Sequence, residues 1–348
     1  MKDKMKAAIM TEIKKIEFTE ILVPEPKDNE VLVEIEAVGV CGSDIHYYEH
    51  GRIGNFIVEP PFILGHEAAG IVVKTGKNVT HLSVGDRVAM EPGKTCGECE
   101  FCKTGRYNLC EKVIFFATPP VQGVFTEYVA HEAALCFKLP TNMNAVEGAL
   151  IEPLAVGFHA VRQAGAQIGQ TAVVMGSGCI GLVSLLALKA VGVTKVIVVD
   201  IVDKRLEKAK ELGADKVING RKEDTVAEIM KYTAGKGFDV AIEAAGTEIT
   251  SGQLIQSAKK GATIVFVGYG ASDKMALPIN MALDKELTMK TIFRYRNIYP
   301  LAIDAVSSGK ISIKDIVTNS YKFDETDKAM AECAENKQDI VKGVILMS

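Results

Sequence analysis

The amino-acid sequence predicts an α/β protein in which a partly open β-barrel domain is joined to a domain built on a doubly wound parallel sheet. Three observations carry this. At 348 residues the chain exceeds the size that one hydrophobic core usually serves, so two domains are expected. The hydrophobic period changes near residue 170, from short alternating segments to strands that alternate with helices. The last fifty or so residues lose that repeat and close on KGVILMS, which reads as a strand returning to the first domain.

Each element has a local reason. EVLVEIEAVGV (30–40), AGIVVKTG (69–76) and GDRVAM (85–90) alternate apolar with polar residues between Gly, Pro and Asn breaks, the texture of an all-β barrel. FILGHEAAGIVV (62–73) is apolar enough to be a buried strand. Beyond residue 170 come TAVVMGSG, a helix to about 190, KVIVVD, a helix in VDKRLEKAKELG, DKVING, a helix near 223–234, FDVAIEAAG, another helix, and ATIVFVGYG. Such βαβ repetition makes a parallel sheet.

Composition excludes several function classes. With 40 basic against 44 acidic residues, a net charge of −4 leaves no footprint for nucleic acid or an anionic membrane. The start, MKDKMKAAIM, lacks the apolar core of a secretory signal, and the apolar stretch near 178–193 is too short to span a bilayer and is broken by Lys189. A cytoplasmic protein acting on a small molecule is the expectation.

Four of the eight cysteines crowd into TCGECEFCKTGRYNLC. Cys96, Cys99 and Cys102 stand at two-residue gaps and Cys110 follows a loop, so four thiolates can curl around one structural zinc ion. Free surface thiols and a nucleic-acid-gripping zinc ribbon are the alternatives, and a small lobe in a large, near-neutral chain favours a structural site.

Gly176-Ser177-Gly178-Cys179-Ile180-Gly181 is a GxGxxG between a strand and a helix. Gly176 suits the tight turn, Gly178 lets the backbone approach a pyrophosphate, and Gly181 packs helix on strand, while the helix N-terminus offers free N–H groups. The next strand ends in Asp200, at the distance where an acid meets an adenosine ribose. Asp200 repels a 2′-phosphate and so favours NAD over NADP. Arg205 is the feature that opposes this, unless it is a solvated charge on its helix.

Cys41 in VCGSDIHYY, the His66-Glu67 pair and Glu152 in GALIEPLAVG interrupt apolar runs with metal-ligating side chains. A lone buried cysteine is more often a core residue, but three such interruptions together point to zinc held by three protein ligands with one open position. Neighbours in a straight strand face opposite ways, so His66 and Glu67 can share an ion only if the chain bends, for which Gly65 is suited.

CGSDIH, GHEAAG, the four-cysteine lobe, IEPLAVG and GSGCIG occur in the order found in the zinc-dependent medium-chain dehydrogenases, which the chain resembles over nearly its whole length. HYYEHGRIGNFIVEPP, FFATPP and IFRYRNIYP resemble the polyol-oxidising branch, the sorbitol and xylitol dehydrogenases. Animal members lack the lobe cysteines that this chain keeps, so it looks like a bacterial or fungal type. The resemblance implies a GroES-like catalytic domain from 1–156 and 292–348 with a zinc lobe at about 93–112, a Rossmann domain over 157–291, two zinc ions per chain, NAD, and a tetramer. It further implies that Cys41, His66 and Glu67 hold catalytic zinc and that Glu152 serves as base or as a ligand, directly or through water. Ser43 would hydrogen-bond the alcohol, His46 would relay the proton, and Asp44 would orient His66. For Ser43, Asp44 and His46 a turn or cap is the plainer role. Tyr47, Phe115, Thr118, Glu152, Arg294 and Tyr295 would form the polyol site, Arg294 supplying fixed donors unless it is only a stacked structural cation. Val267, Gly268, Tyr269, Ile292, Phe293 and Arg294 would meet the nicotinamide half, as Gly176, Gly178, Ile180, Gly181, Asp200 and Arg205 meet the adenosine half.

Two other functions fit the same scaffold. A zinc dehydrogenase of butanediol or threonine is opposed by the FRYRN segment, and a catalytically silent NAD-binding protein by the presence of every candidate ligand.

Overall fold

A computed structural model describes residues 3–270 and 274–347, so the final Ser348 of the expected terminal strand lies outside the described residues. The chain divides into two compact units. One runs to Glu152 and takes in residues 299–307 and the chain from 317 onward; the other comprises residues 153–298 and 308–316. By their contacts, residues 153–156, 292–298 and 308–316, which the resemblance assigned to the barrel, group with the parallel sheet.

The first unit is organised by the strand Glu30–Gly39, in which all but three residues are buried. Along one edge it pairs antiparallel with Glu67–Thr75; along the other it takes Tyr128–Glu132 beside its first half and Gly343–Leu346 beside its last residues. Arg87–Met90 and Cys136–Lys138 extend one side, and Asn319–Lys322 the other. A strand from the end of the chain thus lies directly against one from its beginning. Val31, Val33, Ile35, Val38, Val72, Val88 and Ile345 fill the interior between these strands.

In the second unit six parallel strands run in the order Lys216–Asn219, Lys195–Asp200, Thr171–Met175, Phe238–Glu243, Ala258–Phe266, Thr288–Thr291. By chain position this is 3-2-1-4-5-6, the doubly wound order whose reversal falls beside the first strand and opens a crevice at the strand carboxyl ends. The central strands are buried almost throughout, which is why KVIVVD and TAVVM read as unbroken apolar runs.

One local expectation changes, and two segments left without an assignment prove helical. The strand expected over 62–73 begins only at Glu67, because Gly65 takes a φ of +89° and turns the chain just before it. IEPLAVG opens a helix, Ile151–Ala164, with Pro153 in its first turn, where the missing N–H costs nothing. The tail holds helices Tyr299–Ser307 and Thr326–Glu335 besides its terminal strand.

Candidate active site

Cys41 caps the helix Gly42–His50, and the third residue of that helix, Asp44, is wholly buried. Asp44 accepts hydrogen bonds from Cys41 N at 3.1 Å and Gly65 N at 3.0 Å, and its Oδ1 lies 3.4 Å from His66 Nδ1. One carboxylate thus ties the start of the helix to the turn at Gly65, where any side chain would strike the Phe125 ring at 2.7 Å. The turn leaves His66 outside the strand and Glu67 at its first position, so the two are no longer opposed members of a straight strand. One ligand atom from each of Cys41, His66 and Glu67 comes within 4.8 Å of the others.

The charges of the group are strongly coupled. Burial pushes His66 down, but Asp44 and Cys41 beside it outweigh burial and hold its pKa well above the ordinary value. Burial likewise raises Asp44, and the His66 charge with the two backbone donors keeps its carboxyl below the usual range. Glu67 is 1% exposed, and its Oε2 takes no hydrogen bond while lying against the buried Lys342 ammonium as an ion pair. A thiol, an imidazole and a carboxylate converging in a buried pocket are a donor set that fits zinc.

Around this group Ser43 is half-buried and Tyr47, one helical turn further, is buried on the same side. His46 is exposed, with its ring 4.7 Å from that of His50, and its pKa is lowered by burial and by the His50 charge. The Phe115 ring lies 5.8 Å from the His66 ring, and Thr118 follows it in a turn closed by a 3.1 Å bond from Thr118 N to Phe115 O. Glu152, 6% exposed, stands in the first turn of its helix and outside the converging group of three. Sequence reasoning missed Glu91, which is buried, accepts 2.7 Å from the Tyr107 hydroxyl of the cysteine lobe, and is pushed up to about 7 by burial with the Glu152 charge adding to it. Its signal was present, since the EP of MEPGK repeats the EP of IEPLA.

In the lobe, Cys96, Cys99, Cys102 and Cys110 converge, with sulfurs 3.5 Å apart for Cys99 and Cys102, 3.6 Å for Cys96 and Cys110, and 3.9 Å for Cys96 and Cys102. Zinc–sulfur bonds of about 2.3 Å in a tetrahedron set sulfurs roughly 3.8 Å apart, so the spacing fits a metal rather than disulfides or scattered thiols. Backbone N–H groups of Glu98 and Cys99 pull the Cys96 thiol down to about 6.

In the second unit, Gly176 has a φ of +88°, and a side chain on Gly181 would sit 1.8 Å from Gly176 O. Gly178, by contrast, has open space where its side chain would project, with an Arg205 nitrogen 3.9 Å away. Gly178 also caps the helix Cys179–Ala190, which carries Ile180. These are the turn, the close packing and the cradle that the motif predicts. Asp200 Oδ2 accepts from Ser177 N at 2.6 Å and Ser177 Oγ at 3.0 Å, while Oδ1 accepts from Ile201 N at 2.7 Å and Val202 N at 3.0 Å. The acid therefore also fastens the glycine turn. Val267 N and Gly268 N donate to Glu243 O at 2.9 and 3.0 Å, and Tyr269 is exposed. Glu243, also missed, is fully buried and binds the N–H groups of Ala245 and Gly246, fixing the loop opposite; the acid ending FDVAIE repeats the one ending KVIVVD.

Ile292 N donates to Phe266 O at 3.2 Å, and the Arg294 guanidinium lies 4.8 Å from the centre of the Phe293 ring. Arg294 and Asn297 hold φ values of +53° and +51°, and Tyr295 is buried. Arg162, missed from sequence, fixes this strained loop by donating to Arg296 O at 2.5 Å and Asn297 O at 3.4 Å. Arg294 and Tyr295 belong to the parallel-sheet unit, whereas Tyr47, Phe115, Thr118 and Glu152 belong to the barrel unit.

Comparison with known proteins identifies the family of both domains. Residues 27–141 match the Alcohol dehydrogenase GroES-like domain, and residues 179–308 match the Zinc-binding dehydrogenase family. The sorbitol dehydrogenase of Bacillus subtilis is 42% identical over 98% of this chain and 97% of its own, and that of Bos taurus is 44% identical over 91% and 93%. A solved Escherichia coli oxidoreductase/dehydrogenase of unknown specificity superposes with a TM-score of 0.95 at 41% identity, covering 99% of both chains. With a GroES-like barrel, a doubly wound Rossmann sheet and relatives matched along almost its full length, the chain belongs to the zinc-binding alcohol dehydrogenase family.

Proposed function

We propose that the protein is a zinc-dependent, NAD-linked polyol dehydrogenase that oxidises a secondary hydroxyl of a sorbitol-, xylitol- or iditol-type substrate to the 2-ketose. The observation that carries this is the convergence of Cys41, His66 and Glu67 in a chain that also carries the glycine turn with Asp200. Identity above 40% to sorbitol dehydrogenases supports the polyol over butanediol or threonine.

A zinc ion held by Cys41, His66 and Glu67 supplies Lewis acidity that makes the substrate hydroxyl acidic near neutral pH. Ser43 would hydrogen-bond that hydroxyl, Glu152 would take its proton as base unless it serves as an exchangeable ligand, and His46 would pass the proton onward. Asp44 keeps His66 aimed through Nδ1. NAD, when bound, would accept hydride from the carbon bearing the hydroxyl; Val267, Gly268, Tyr269, Ile292, Phe293 and Arg294 would contact its nicotinamide half and Asp200 its adenosine ribose. Tyr47, Phe115 and Thr118 of the barrel unit would contact the polyol, and the resemblance adds Tyr295 and Arg294, whose guanidinium offers several donors in one plane. Cys96, Cys99, Cys102 and Cys110 hold a second, structural zinc. We further propose a cytoplasmic homotetramer; the resemblance supports this, and among the described residues no helix is long and apolar enough to cross a membrane.

The test is NAD reduction over a panel of polyols, butanediol, threonine and short alcohols, with the product identified. A polyol giving the highest kcat/KM and a 2-ketose supports the proposal; turnover of butanediol or threonine alone, or of nothing, refutes it.

A further inference from the structure

We propose that Lys342 is the resident counter-ion of Glu67, a positioning residue whose ammonium keeps the three-ligand group assembled when the metal leaves. Lys342 is 2% exposed, unusual for a lysine, and both side chains of the pair are 1% exposed. Its Nζ donates to Val40 O at 3.0 Å and lies against Glu67 Oε2. Val40 directly precedes Cys41, so one ammonium contacts the backbone beside the first ligand and the carboxylate of the third.

The fold opens a slot for this contact. Gly39 stands in register with Glu67 on one side and Val344 on the other, at the end of the organising strand. A side chain there would lie 2.0 Å from Glu67 Oε2 and 3.1 Å from Lys342 Cε, so the missing Cβ is what lets the two charges meet across the strand. The nearby Cys333 does not compete as an anion, because burial pushes its thiol up to about 11.

A carboxylate has two oxygens. The pair with Lys342 engages Oε2, which leaves the carboxylate a second oxygen for a bound ion. Without Lys342 and without zinc, Glu67 would be a buried carboxylate deprived of its ammonium partner, a costly arrangement. With zinc bound, the ion itself neutralises that charge. Removing Lys342 therefore harms the metal-free protein more than the loaded one and, by linkage, makes the three-ligand site hold zinc more tightly.

This rests on the proposed zinc at Cys41, His66 and Glu67, and the experiment separates the two ideas. The full-length wild type, Lys342→Met, Lys342→Arg and the double variant Lys342→Met with Glu67→Gln are each melted with both zincs bound and after a mild chelator has removed the labile one, and zinc release is followed by chelator competition. The Lys342→Met chain should show a wider gap between loaded and stripped melting temperatures and at least tenfold tighter retention of the labile zinc. Lys342→Arg should behave as wild type, and the double variant should recover much of the stripped form's stability. Equal losses in both forms with unchanged zinc retention, or a Lys342→Arg chain as perturbed as Lys342→Met, would show a merely structural lysine and overturn the proposal. A wild type that takes up only one zinc overturns the reading beneath it, and the proposal with it.

Discussion

Replacing Asp44 with alanine separates its two possible roles. The side chain is wholly buried and serves three partners: Cys41 N, Gly65 N and His66 Nδ1. Truncation strands the buried Gly65 N–H, at about 1–3 kcal/mol, and the part-buried Cys41 N–H, at less, so the folded state should lose roughly 2–4 kcal/mol. It also frees the His66 ring, and loss of a residue that orients a metal-bound histidine weakens metal affinity by about 10–100-fold. Urea denaturation reads the first effect; chelator competition against the labile zinc reads the second, with the four-cysteine zinc as internal control. If stability falls as stated while the labile zinc is held as tightly as in the wild type, Asp44 is a helix cap and turn staple only. The assignment of His66 as an oriented ligand then fails.

Four further outcomes are expected. A chelator should remove one zinc per chain well before the other, since three ligands with an open position bind less tightly than four thiolates; simultaneous loss, counted by elemental analysis, contradicts two kinds of site. Arg294→Ala should lower kcat/KM for the best polyol by about 10–100-fold and leave short alcohols nearly unchanged, because a hydrogen bond to a charged group is worth roughly 1.5–3 kcal/mol; equal losses would mean that the guanidinium stacked on Phe293 only supports its loop. Asp200→Ser should raise the NADP-to-NAD ratio of kcat/KM and, because Asp200 also fastens Ser177, Ile201 and Val202, raise the KM for NAD. Burial pushes His131 down to about 4, so between that value and the ordinary 6.5 the unfolded chain binds a proton that the folded one refuses. Stability should thus fall as pH drops through this window, by up to about 3 kcal/mol from this residue, and His131→Gln should remove that share of the shift in urea midpoint.

Much of the fold was legible because its determinants are local. Alternation marks Glu30–Gly39, and the acid-ended apolar run KVIVVD followed by a charged amphipathic helix marks a βαβ unit, since each pattern records burial along one short segment. The cysteine lobe and the glycine turn are legible for the same reason: spacing along the chain is nearly spacing in the site. The start of the strand at Glu67 was not, because whether an apolar run turns is decided by the Phe125 ring against Gly65, far away in sequence. The helix at Ile151 was hidden by a proline that reads as a breaker unless it is known to lie in a first turn.

The candidate site shows what a sequence can and cannot reveal about buried charge. Asp44, His66, Glu67 and Glu91 each stand out as ionisable residues near or within apolar segments, and burying such a group alone is costly, so each announces that a partner exists. The partner is set by topology. His66 finds Asp44 across the Gly65 turn, Glu91 finds Tyr107 from the cysteine lobe, and Glu67 finds Lys342 through a strand that returns from the end of the chain. Lys342 gave no signal of its own, since VKGVILMS presents a lysine at the mouth of a strand, where lysines are ordinarily solvated. Only the register that sets Gly39 between Glu67 and Val344 makes it a buried cation. An acid inside an apolar run is therefore half of a statement, and the strand order of the barrel supplies the other half.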